Sequence, residues 1–111
     1  MGLICSLSVI PALAHTHLKK TLPTPGATAD AVNEIQLQFD EAIEPRLSQV
    51  AVATLGGLKV SSEIVSDPHN KMTLIVKFSK ALQPGSYKVE WRVVSGDTHK
   101  VKGSFTFRVR P

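Results

Sequence analysis

Cysteine is nearly absent from this chain: its one residue of that type, Cys5, lies in an apolar segment close to the start. If that segment is removed during export, nothing downstream can form a disulfide or offer a thiolate to a metal, and the domain must fold on packing alone. Electron transfer through a blue-copper centre is excluded with it, because that centre requires a cysteine ligand. Aromatic residues are scarce, with one Trp, one Tyr and four Phe, too few for a flat sugar-binding surface. Lys and Arg outnumber Asp and Glu by 13 to 9, but they are dispersed at alternating positions such as Lys88, Arg92, Lys100, Lys102, Arg108 and Arg110. A solvated sheet face accounts for that pattern. A nucleic-acid footprint would need a basic stripe interleaved with stacking aromatics, so no nucleic-acid partner is expected. Helical periodicity is missing as well, since no stretch of useful length repeats apolar residues at helical spacing.

What is present begins with "ALAHTHL", residues 12–18. From Leu3 to Leu13 the chain is almost wholly apolar, too short to span a bilayer, which takes about 20 such residues. Ala12-Leu13-Ala14 has the small-x-small form that signal peptidase reads. The spacing predicts a cleavable signal peptide over residues 1–14, although no Lys or Arg precedes the apolar run, and a mature domain over residues 15–111 that begins at His15. The exported form would then reside outside the inner membrane.

The rest of the chain is dominated by a period of two. Ile35, Leu37 and Phe39 alternate with polar residues, as do Met72, Leu74, Val76 and Phe78, then Tyr87, Val89, Trp91 and Val93, and finally Phe105, Phe107 and Val109. Such alternation marks strands with one buried face, which assigns these side chains, Met72 included, to the core. Turn signals separate them at Pro23 to Gly26, Gly56-Gly57, Asp67-Pro68, Pro84-Gly85 and Ser95-Gly96. Short strands at this spacing predict one all-β domain, an antiparallel sandwich or barrel. His69, beside Pro68, reads as a solvated turn residue.

Four chemically pointed residues remain: His15, His17, Asp97 and His99. A histidine that carries a free α-amine is a bidentate metal ligand, its amine and ring Nδ1 closing a six-membered chelate. Residues two apart in an extended segment share a face, so Asp97 and His99 can reach one point. Together they supply three nitrogens and a carboxylate oxygen, and tetragonal N/O ligation without sulfur favours Cu(II). A second amino-terminal mode stays open, in which the amine, the amides of Thr16 and His17 and the His17 ring chelate the ion without any fold. A terminus pinned as a strand commits its amides to the ladder and favours the His15 mode.

The terminal "HTHL", the "PTPGA" turn, "IQLQFDEAI" and above all "LQPGSYKVEWRVVSGDTHKVKGSFTFRV" resemble the CopC-type periplasmic copper-binding proteins, including the YobA-like branch. The resemblance runs over nearly all of residues 15–111. It implies a seven-stranded Greek-key β-barrel or sandwich of cupredoxin-like topology and a role in copper homeostasis and resistance. It also implies a Cu(II) ligand set of His15, Asp97 and His99. Two further candidates follow from it: Glu41, in "FDEAI", as a nearby carboxylate, and His17, at a place where the family varies. Members with two copper sites carry a methionine-rich central loop for Cu(I); residues 50–71 here contain no methionine. One Cu(II) per chain is therefore expected and no Cu(I) methionine site. An inner-membrane copper permease of CopD type is the implied partner, and a monomer the expected state.

Two other classes compete with this non-enzymatic carrier. A copper monooxygenase also uses a terminal histidine, but Asp97 would fill the position that oxygen chemistry needs and surface aromatics are lacking. An immunoglobulin-like interaction module would leave the histidines incidental.

Overall fold

A computed structural model describes residues 17–111, and His15 lies outside them. Nine strands follow in order: β1 (Leu18–Leu22), β2 (Thr28–Ala29), β3 (Glu34–Phe39), β4 (Gln49–Thr54), β5 (Lys59–Val60), β6 (Glu63–Asp67), β7 (Asn70–Lys77), β8 (Gly85–Val94) and β9 (Lys100–Val109). Seven of them have five residues or more; β2 and β5 have two each. The only helical element among the described residues is a single 3-10 turn, Pro45–Leu47. The strands form two sheets, ordered β1-β3-β7-β6 and β2-β9-β8-β4-β5. The architecture is therefore a sandwich, the open form of the expected alternatives. All pairings are antiparallel except β2 with β9.

The alternation in sequence becomes the two faces of each sheet. Ile35, Leu37 and Phe39 of β3, Leu74 and Val76 of β7, Val89 and Val93 of β8, and Phe107 of β9 are essentially solvent-free between the sheets. Burying each such side chain contributes about 1.5–3 kcal/mol. Tyr87 stacks on Phe107 at 5.5 Å and its hydroxyl donates to the Gln83 carbonyl at 2.6 Å, so its polar end is satisfied. Trp91 is half-buried at the border of this core, edge-on to Phe39. Its indole lies across Gly103 on the paired strand, where any Cβ would collide with the ring.

Two assignments from the alternation need correcting. Met72 shares the inward parity of Leu74 and Val76 yet is 41 % exposed. It sits near the start of β7, where the cross-strand register with β3 ends at Thr73 and the facing sheet no longer covers it. Ser95 is not a surface turn residue: it is buried and bridges Ile43, and the turn proper is Gly96-Asp97. His69 does fall in an exposed turn, between β6 and β7.

Candidate metal centre

β8 ends at Val94 and β9 starts at Lys100, and the five residues between them form a hydrogen-bonded connection rather than an extended run. Ser95 organises it. Its backbone N–H donates to the His99 carbonyl (2.9 Å), its carbonyl accepts from the Thr98 N–H (2.8 Å), and its hydroxyl accepts from the His99 N–H (3.2 Å). Thr98 adopts φ 66°, a left-handed conformation that costs a β-branched residue energy and persists only where its surroundings over-determine it. The expectation that Asp97 and His99 meet because they alternate along a strand is therefore incorrect. A tight turn brings them together.

The same turn is stitched to the segment after β3. The Gly96 N–H donates to the Ala42 carbonyl at 2.9 Å, Ile43 and Ser95 form a bridge, and the Glu44 N–H donates to Val94 at 2.8 Å. These bonds set Glu41 beside the turn. Glu41, Asp97 and His99 each present a ligand atom, and the three atoms lie within 4.8 Å of one another. His99 Nδ1 stands 3.4 Å from Glu41 Oε2, with the imidazole about half exposed and the carboxylate more covered. All three donors are nitrogen or oxygen. A carboxylate beside a histidine ring is the arrangement that orients a ligating imidazole.

His17 is placed differently. Its backbone N–H donates to Asp40 Oδ1 at 2.8 Å, its ring Nδ1 lies 3.2 Å from Asp40 Oδ2, and its carbonyl accepts from the Asp40 N–H at 3.1 Å. The hydrogen bond from the His17 backbone is the largest influence on the Asp40 carboxyl, holding it below its ordinary value. Three contacts thus clamp the entry of β1 to the residue that precedes Glu41. His17 does not join the three-atom cluster; its ring faces Asp40. The role of Asp40 escaped the sequence reading, although an aspartate one place before a candidate ligand, at the end of a strand, was the available signal.

Fold and site together define a class: a small β-sandwich that gathers one imidazole and two carboxylates at the end where its amino-terminal strand begins. A CopC domain matches residues 18–110, and the chain belongs to the CopC family. It is 38 % identical to a copper resistance protein C of Xanthomonas campestris pv. juglandis over 112 residues, covering 95 % of this chain and 87 % of the relative. It is 31 % identical to the protein YobA of Escherichia coli K12 over 113 residues, covering 99 % and 91 %. Among solved structures, CopC from Methylosinus trichosporium OB3b superposes with a TM-score of 0.80 at 28 % identity, covering 87 % of this chain and 95 % of that one. PcoC, a methionine-rich copper resistance protein from Escherichia coli, gives 0.78 at 27 % identity, covering 87 % and 100 %.

Proposed function

We propose that this protein is a periplasmic Cu(II)-binding protein of copper homeostasis and resistance, carrying or buffering one Cu(II) per chain without catalysing a reaction. The copper role is supported by relatives named as copper resistance proteins. The observation that carries the site is the convergence of Glu41, Asp97 and His99 at the end of the sandwich where β1 enters. Signal peptidase cleaves after Ala14, so the mature chain starts at His15. Two residues of backbone reach at most about 7 Å, and His17 is held against Asp40, adjacent to Glu41. The contacts of His17 with Asp40, the residue before Glu41, support a ligand role for a His15 terminus in this reading.

In this reading copper is cargo. The His15 amine and imidazole and the His99 imidazole bind it, and Asp97 adds an oxygen and a compensating charge. Glu41 stays beside the ion and orients His99. A donor set of nitrogens and a carboxylate suits Cu(II) better than the other divalent ions of its row, while Cu(I) prefers sulfur, which the mature part offers only at Met72. The exposure of His99 leaves the ion accessible for exchange with a partner such as a CopD-type permease, and one chain suffices to build the site.

Electron paramagnetic resonance of the protein titrated with Cu(II) tests the proposal. One axial Cu(II) per chain with superhyperfine structure from about three nitrogens is expected, and His99→Ala should remove one of them. A spectrum unchanged by His99→Ala, or a signal that keeps growing beyond one equivalent, would refute the assignment.

A further inference from the structure

The end of the sandwich away from the metal cluster carries a different feature. Between β4 and β5 the chain turns through Leu55-Gly56-Gly57-Leu58, and both leucines are open to solvent, at 61 % and 72 %. They are held there. The Thr54 N–H donates to the Leu58 carbonyl (2.9 Å), the Gly57 N–H to the Thr54 carbonyl (2.9 Å) and the Leu58 N–H to the Thr54 hydroxyl (3.0 Å), with Gly57 at φ 98°. On the other side the Leu55 N–H donates to Ser86 (3.2 Å). Such a tip cannot fold its leucines back onto the core. Single exposed apolar residues are ordinary, but a rigid pair on one projecting turn is a contact surface in waiting.

Its surroundings are basic. The register places Lys59, Ala53 and Lys88 in one row across the sheet, and Ser86 beside Arg108 in the next; the three cations are exposed. Lys59 and Arg108 make no ion pair among the described residues, while Glu90 pairs with Lys88 (3.6 Å) and Asp30 with Arg110 (2.7 Å). Leucines projecting beside uncompensated cations match the two layers of an anionic lipid surface, apolar acyl chains under a negative headgroup plane.

We propose that the β4–β5 hairpin docks on an anionic lipid bilayer, Leu55 and Leu58 entering the acyl boundary while Lys59 and Arg108 meet the headgroups. β8 runs from this end to the metal cluster, ten residues or roughly 30 Å at strand spacing. Docking therefore holds the metal cluster at the far end of the sandwich from the headgroup plane.

Co-sedimentation of the protein, as the cell processes it, with vesicles of equal parts phosphatidylglycerol and phosphatidylcholine tests this. Binding is expected at low salt, weakened by added salt and absent with pure phosphatidylcholine, since each basic side chain near such a surface contributes roughly a fivefold gain in partitioning. Leu55→Ser combined with Leu58→Ser should reduce it about a hundredfold or more, with thermal stability and Cu(II) affinity unchanged. Equal sedimentation of wild type and double variant, or no binding to the anionic vesicles, would overturn it. A dimer in sedimentation velocity that the same variant dissolves, without lipid binding, would assign the tip to a second copy and overturn it too.

Discussion

The two ends of β8 solve opposite problems with similar economy. At Val94 the strand runs into a turn whose backbone donors are satisfied by Ser95 and by the segment that carries Glu41, and the polar side chains left over converge on one point. At Gly85 it lies beside a hairpin that satisfies its own backbone and leaves apolar side chains outside. Both are rigid for the same reason, a dense set of local hydrogen bonds. One rigid end displays nitrogen and oxygen, the other displays carbon. Since the core between them is shared, changes at either end should leave the other intact, and only changes in the core should reach both.

Protons separate the ends most sharply. A free α-amine titrates at about 7.7–8.0 and an imidazole at about 6.5, and ligands must shed their protons to bind a metal. Lowering the pH from about 7.5 to 5.5 should therefore weaken Cu(II) binding at a site built on nitrogen ligands, which a competition titration reads directly. The Asp40 clamp should survive that range. Its carboxyl is held below the ordinary value chiefly by the His17 backbone N–H, so its contribution is fully present above the unfolded carboxylate range and lost only as pH falls through the lowered native value. Affinity that stayed flat across that range would break the account of the copper end.

Phe39→Ala should reach both ends. The side chain is fully buried against Trp91, and its removal should cost about 3–5 kcal/mol, read as a fall in the thermal midpoint. The increase in midpoint on adding copper should remain in the variant, because specific binding stabilises whatever native state persists.

His99→Ala acts at one end alone. Cu(II) affinity should fall on the order of a hundredfold or more, while the apo protein, whose imidazole is half exposed, should melt within about 2 °C of wild type. Asp40→Ala is the finer instrument. Asp40 touches His17 and is absent from the ligand-atom cluster, yet releasing the β1 entry should cost about tenfold in Cu(II) affinity. Ser95→Ala leaves the His99 N–H without its hydroxyl acceptor in a part-buried position and should cost about 1 kcal/mol in stability. If Asp40→Ala changed stability but not affinity, the clamp would serve the fold alone.

The strands were largely readable because their period of two is the pleat itself: Ile35, Leu37 and Phe39 had to point one way once one face was buried. Met72 was misread since parity specifies a direction but not whether anything waits there, and at the start of β7 nothing does. β2 and β5, two residues each, are too short to show a period. At the site, Asp97 and His99 were identified through alternation along a strand, whereas a turn with a left-handed Thr98 joins them. Glu41 entered only through a family resemblance. The bonds that place it, from Gly96 to Ala42 and from Glu44 to Val94, link residues far apart in the chain, and no local pattern records such pairings. The same holds for His17 and Asp40, 23 residues apart.

The central claim is that the α-amine of His15 is a copper ligand alongside His99 and Asp97. Comparing Cu(II) affinity of the chain that begins at His15 with that of the same chain extended by one glycine tests it most directly. The account predicts a loss of several orders of magnitude and a nitrogen count lowered in the resonance spectrum; equal affinity and an unchanged spectrum would contradict it.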